Sequence, residues 1–313
     1  MPELLPADVV LSRHLDPAAR RNLYLRVRRE ELVQLHRGAY VEATLWKALD
    51  VDAQHRALAL AVAVHFDDRL VFSHLTAASL WRLPRVGHWP ARPHTVGERN
   101  GGGHSTNAFV RHALGVPECT STISGLVVTT LAETVVAVAA TTGFSQAVVI
   151  ADAALRRNQH PAAGVPRTSL DRGKLLVELA RLSPSHGAAK TRRVIDFADG
   201  RADRPGESMS RVSMHLAGIA PPEIQVCMAG ASGKPYVVDF WWPEFNVIGE
   251  FDGKYKYTDP RYMNGRSPQQ VLYDEKLRED DLRAASHGFA RWPWATAISP
   301  TLLRAHLARA GVR

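Results

Sequence analysis

The chain has 313 residues, 45% hydrophobic and 22% charged, a balance that suits two or three globular domains and argues against extensive disorder. Its longest strongly apolar run, Ala57 to Val64, is too short to span a bilayer, and the first residues, Met1 to Pro6, have neither the basic flank nor the apolar core of a signal peptide. A cytoplasmic protein with no membrane partner is therefore expected. The net charge of +8 and pI near 9.8 favour an acidic partner, nucleic acid first, while Cys119 and Cys227 give neither a disulfide framework nor a metal-binding spacing.

Residues 1–48 form the first expected domain. Leu4 to Leu15 is predicted to be a short helix. Asp16-Pro17 reads as an N-cap followed by a proline at the first helical position, opening a second helix to about Arg29. Leu32 to Val41 is a β-rich run broken at Arg37-Gly38, which suits a hairpin or wing. Short helices followed by a wing are the layout of a winged helix-turn-helix. Arg20, Arg21, Arg26, Arg28, Arg29 and Arg37 crowd this unit, as phosphate contacts require. A solvated Arg-rich helix accounts for the same charge equally well.

Residues 49–199 are expected to form an α/β middle domain. Val51 to Phe66 reads as a core helix, and Ser73 as the cap of a short helix beginning at Leu75. The glycine-rich run Arg99 to Ser105 lacks the Lys-Ser/Thr of a phosphate-binding loop and reads as a turn. Thr130 to Ala140, Gln146 to Arg157 and Leu170 to Leu182 read as helices, with a loop at Asn158 to Thr168. Three segments then matter together: Leu35-His36-Arg37-Gly38-Ala39-Tyr40, Phe72 to Ala78, and Gly125 to Thr134. Their order resembles the AbiEi-type antitoxin architecture, the first segment matching its wing end. That resemblance implies a DNA-binding winged helix, an AbiEi-like middle domain, and often a nuclease-like domain after it. DNA is then the expected partner; a cognate toxin or defence-system protein, and a homodimer, are the further assemblies it allows.

The mixed charge, Gly and Pro of Asp199 to Gly206 place a domain boundary there, opening a third domain at 200–313. Within it, Val237 to Lys254 reads as two strands joined by a turn at Pro243 to Asn246. Asp239 and Glu250 lie one on each strand, ten positions between them, so a hairpin can bring both carboxylates to one end of a sheet. Carboxylates among Val, Ile, Phe and Trp cost several kcal/mol unless a cation or donor compensates, and Mg²⁺ is the natural oxygen-loving compensator. This stretch resembles the PD-(D/E)xK nucleases, within them the Vsr-like endonucleases, over roughly residues 200–298. The resemblance implies a restriction-endonuclease-like α/β/α domain. Asp239 matches the first acid, Glu250 with Asp252-Gly253 the second cluster, and Glu207 an acid on the preceding helix. Asp274 to Arg283 and Gly288 to Trp292 match the closing helix and strand. One position departs: Asp252 stands where the superfamily has its Lys, so Lys254, Lys256 or Lys276 must supply the cation in a working nuclease.

The expected chemistry is Mg²⁺-dependent phosphodiester hydrolysis, with Mn²⁺ as substitute. Glu207, Asp239 and Glu250 are the expected metal ligands, and Asp252, Lys254 and Lys276 complete the candidate catalytic set. The setting that the resemblance implies is bacterial defence or a toxin–antitoxin system. The alternative is an antitoxin-type transcriptional regulator in which the nuclease fold is only a scaffold. The fourteen histidines contain no helical His pair with an acid, so zinc chemistry is not expected, and no Ser-His-Asp spacing stands out. Trp241, Trp242, Trp292 and Trp294 read as packing residues.

Overall fold

Asp16 does open the first long helix, because its Oδ1 accepts the Ala18 and Ala19 amides, both at 2.8 Å. The computed structural model describes residues 3–66, 70–98, 105–115, 117–157, 159–160, 162–182, 187–253, 267–285 and 287–313. It is a mixed α/β protein whose helices accompany three sheets, and it divides at Phe197/Ala198 into two compact units. The division falls beside the expected boundary at 199–206. Residues 1–48 belong to the same unit as the segment that follows them.

In the first unit, helix α1 (Pro17–Arg28) lies between strand β1 (Val10–Leu11) and the hairpin of β2 (Leu32–His36) and β3 (Ala39–Glu42). All three pair antiparallel in the order β1-β3-β2, and Gly38 supplies the hairpin turn with a φ of 90°. The helix expected over Leu4 to Leu15 does not form. Instead, 3₁₀ turns at Pro6–Asp8 and Ser12–His14 flank β1, whose Val10 and Leu11 pair with Tyr40 and Ala39 and bury Leu11. Pairing with the hairpin, a contact distant in sequence, overrides the local helical pattern.

Helices α2 (Ala43–Ala48) and α3 (Val51–Phe66) follow; α3 buries Ala53, Ala57, Ala59, Leu60, Ala61 and Val62. A five-stranded sheet then builds from β4 (Val71–Phe72), β5 (His94–Val96), β6 (Val110–His112), β7 (Thr120–Ile123) and β8 (Leu126–Thr129), in the order β6-β5-β4-β8-β7. Helix α4 (His74–Leu80) follows β4, one residue earlier than expected; Ser73 holds the N-cap position, but its side chain meets the His74 ring and caps no amide. The unit closes with α5 (Leu131–Thr141), α6 (Phe144–Arg156), α7 (Arg172–Ala180) and α8 (Ala188–Phe197). The last of these was not expected, and nearly all of the glycine-rich run at 99–105 lies outside the described residues.

In the second unit, α9 (Pro205–Leu216) precedes an antiparallel meander of β9 (Glu223–Ala229), β10 (Pro235–Trp242) and β11 (Val247–Asp252). The turn between β10 and β11 is a 3₁₀ turn at Pro243–Phe245 closed by Asn246 in the left-handed region, φ 52°. Helix α10 (Pro268–Ala284) then leads to β12 (Gly288–Pro293), parallel to β11 at the sheet's edge, and α11 (Trp294–Ala297) and α12 (Pro300–Arg309) end the chain. Each sheet face has its own core. Phe240, Trp242, Phe251 and Trp292 pack with Met214 of α9 and Leu303 and Leu307 of α12. Val238, Ile248 and Phe289 pack with Leu282 of α10. The result is a helix–sheet–helix sandwich. Its indoles are anchored: Trp292 Nε1 donates to Ser210 Oγ at 2.8 Å, and Trp242 Nε1 to the Ala220 carbonyl at 2.7 Å.

Candidate active site

The ladder between β10 and β11 runs through Trp242↔Val247, Trp241↔Ile248 and Phe240↔Gly249 and stops there. The next pair in register is Asp239 and Glu250. In place of a backbone carbonyl, the Asp239 carboxylate accepts the Phe251 amide, N to Oδ2 at 2.9 Å. The strands part at the acid, which satisfies one amide that the split would otherwise leave bare.

Two neighbours converge on Asp239. Gln225 on β9 has a φ of 54°, and its side-chain amide donates to Glu207 Oε2 at 2.9 Å and to Asp239 Oδ1 at 3.4 Å. Glu207 lies in the first turn of α9, 3% exposed, with Oε2 also accepting the Asp203 amide at 2.8 Å. The preceding Gly206 permits this placement: a Cβ there would sit 2.1 Å from the Phe251 ring. Burial, and then the charge of Asp239, push the Glu207 carboxyl up to about 8, against the opposing pull of the Asp203 amide and Arg204. That shift favours the protonated form of Glu207 at neutral pH.

Glu250 is buried, yet it is drawn to other partners. Arg291 of β12 donates to its Oε2 at 3.0 Å, and Arg278 of α10 brings Nη2 to 2.5 Å from Oε1 without hydrogen-bond alignment. Arg278 also donates to the Val237 carbonyl at 2.6 Å, and Arg291 reaches Glu279 at 3.4 Å and Glu275 at 4.0 Å. Glu275, Arg278, Glu279 and Leu282 share the helix face turned to the sheet, spaced three or four residues apart. Lys276 lies off that face and is exposed. Asp252 is half-buried at the end of β11, opposite Pro293. Lys254 and Lys256 lie outside the described residues. Among the described residues, Glu207, Asp239 and Glu250 do not come together as a group of three that could hold a metal ion. Glu207 and Asp239 form a pair, and the positive charge meeting Glu250 comes from two guanidinium groups.

Gln225 and Arg291 carried no sequence signal. One glutamine on an amphipathic strand looks like solvent-facing polarity, and only the parallel β11–β12 register, Glu250↔Arg291, reveals Arg291.

In the first unit the six expected arginines separate. Arg26 is tied to Glu42 at 2.7 Å and Glu31 at 3.2 Å, and Arg20 donates to the Ser12 and Arg13 carbonyls. Arg21, Arg28, Arg29 and Arg37 are exposed. Arg21 and Arg28 share one side of α1 with Tyr24, itself 68% exposed.

No family model matches the chain, and no solved structure matches it. Two proteins of Mycobacterium tuberculosis, from strains CDC 1551 / Oshkosh and H37Rv, are each 30% identical to it over 141 residues, 45% of this chain and 48% of the relative. Both are called uncharacterized proteins, and the chain spans about half the length of these curated relatives. Among the described residues, no helix is long and apolar enough to cross a membrane.

Proposed function

We propose that the chain binds DNA through α1 and the β2–β3 wing and hydrolyses phosphodiester bonds with Mg²⁺ at the Glu207–Asp239 pair, as an endonuclease of a defence or toxin–antitoxin system. The observation that carries this reading is the meeting of two carboxyl groups, one nearly fully buried, where β10 and β11 part. Such a pair is costly without a cation, which is why Glu207 keeps its proton. Carboxylate oxygens are the donors a hard divalent ion selects. The residues fit Mg²⁺: Glu207 and Asp239 would hold it, with the Gln225 amide oxygen within a side-chain flip. When bound, the ion supplies a Lewis acid for the phosphate and a more acidic water.

Further support comes from the helix–meander–helix–parallel strand order of the second unit, the layout that the PD-(D/E)xK resemblance implies. For the first unit it comes from the β1-β3-β2 sheet with α1 before the wing, which suits a winged helix with α1 as its reading helix. The test is cleavage of supercoiled plasmid by the full chain with Mg²⁺ or Mn²⁺. Nicking should be abolished in Asp239→Asn and Glu207→Gln.

One observation favours the second reading, a regulator that keeps the nuclease fold as scaffold. Glu250 is already neutralised by two arginines, and Asp252 occupies the position where the resemblance calls for Lys. Wild-type protein that binds DNA yet cuts no substrate under either metal would select this reading.

A further inference from the structure

The first unit holds a histidine cluster that the proposed nuclease site does not use. His74 opens α4, His94 opens β5, and His112 ends β6. The His74 and His112 rings stack with centroids 3.7 Å apart, and the His94 and His112 rings lie 4.9 Å apart. His112 Nε2 is 3.2 Å from His94 Nδ1, and one ring nitrogen of each of the three lies within 4.8 Å of the other two. His74 is 1% exposed. Its Nδ1 meets Ser73 Oγ at 2.9 Å, whereas its Nε2 is buried with no hydrogen-bond partner. A buried ring nitrogen without a partner is costly, and a hydrogen-bond acceptor on the opposite nitrogen, a role open to Ser73 Oγ, fixes the tautomer that leaves Nε2 free to ligate. His74 also holds a φ of 53°, a left-handed conformation rare for a residue with a β-carbon.

We infer that His74, His94 and His112 form a binding site for a borderline transition metal, Zn²⁺ foremost, with a fourth coordination position open to solvent on the half-buried side of His94 and His112. The donor set argues for that class of ion. Three imidazoles with no carboxylate select Zn²⁺, Co²⁺ or Ni²⁺ over Mg²⁺ or Ca²⁺, and three protein nitrogens with one open position is a familiar zinc arrangement. Tetrahedral Zn–N bonds of ~2.0–2.1 Å require nitrogens ~3.3 Å apart. The His94–His112 separation meets this already, and the widest separation in the cluster needs a contraction of ~1.5 Å, with a turn of the stacked His74 or His112 ring to aim its nitrogen at the ion. Burial, the largest cause, also lowers the pKa of all three rings, keeping them in the neutral form that binds metal. The sequence hid the site because the ligands come from one helix and two strands, 18 or more residues apart, and not from one helical turn.

The test uses the full chain, stripped with chelator and titrated with Zn²⁺ and Co²⁺. One equivalent should bind with micromolar or tighter affinity. Co²⁺ should give the intense visible absorption of a four-coordinate site, and the melting temperature should rise with metal. His94→Gln and His112→Gln, at half-buried positions where folding is retained, should each weaken binding at least 100-fold. His55→Gln, Cys119→Ser and Asp239→Asn should leave it unchanged, the last separating this site from the carboxylate pair. Absence of stoichiometric binding by the wild type, or undiminished binding in both histidine variants, overturns the inference.

Discussion

Replacing Glu207 with Gln should change how stability depends on pH, in a direction fixed by burial and the Asp239 charge. The ordinary glutamate value is 4.5, and in the folded protein burial and Asp239 raise it to about 8. Between these values the unfolded chain has lost a proton that the folded chain retains. The group's contribution is therefore complete below pH 4.5 and is lost as pH rises toward 8. At ~1.4 kcal/mol per unit the shift sets a ceiling of about 5 kcal/mol. The Asp203 and Gln225 donors already support the ionised form, so the expected loss is about 2–3 kcal/mol. Glu207→Gln keeps the shape and the hydrogen bonds but cannot ionise. In EDTA, the stability difference (variant minus wild type) should be near zero at pH 5 and rise to about 2–3 kcal/mol at pH 8. Buried His55, His74 and His94, pushed down to about 4, 2 and 4, act with opposite sign below pH 6.5 and cancel in this difference. Urea unfolding followed by tryptophan fluorescence at four pH values measures it. A difference that stays flat from pH 5 to 8 refutes the claim that burial and the Asp239 charge hold Glu207 protonated.

The other expectations are shorter. Glu250→Gln should destabilise the fold by about 2–3 kcal/mol, because it strips Arg278 and Arg291 of their shared carboxylate; a neutral effect in urea unfolding would show that the ion pairs contribute nothing. Gly206→Ala forces a methyl group into the Phe251 ring and should cost about 1–3 kcal/mol and weaken the Mg²⁺ response, whereas wild-type stability and response would deny the close approach. Arg21→Ala, Arg28→Ala and Arg37→Ala should each flatten the slope of log K for duplex DNA against log salt by about 0.9. Arg26→Ala should instead loosen the β2–β3 hairpin, since its guanidinium is held by Glu31 and Glu42, and anisotropy titrations at three salt concentrations separate the two outcomes. Glu133, raised to about 7 by burial and then Glu178, should also lose its contribution as pH rises through neutrality, so Glu133→Gln should gain stability at pH 8 relative to pH 5.

Local rules carried much of the second unit. Alternating apolar residues around a Pro-to-Asn turn yield β10, β11 and their hairpin, and the spacing of Asp239 and Glu250 puts them just past its last paired residues, Phe240 and Gly249. The sequence could not show that the ladder ends just before that pair, or that Gln225 and two arginines from different elements divide the acids between them. Those facts depend on the left-handed Gln225 backbone and the parallel β11–β12 register, both products of tertiary packing. At the N-terminus, helical periodicity over Leu4 to Leu15 lost to pairing with β3. The short strands β4, β5 and β6 are two or three residues long and carry too little alternation to be read, so the histidines they align were invisible.

The central claim is that Glu207 and Asp239 jointly hold a divalent ion. Crystals of the full chain soaked in Mn²⁺ at pH 7.5, with anomalous diffraction at the manganese edge, test it directly. The account predicts one anomalous peak in contact with carboxylate oxygens of both residues, absent from Asp239→Asn crystals soaked in the same way. Saturating Mn²⁺ that leaves the Gln225–Glu207–Asp239 hydrogen bonds intact, with no peak between the two acids, would contradict it.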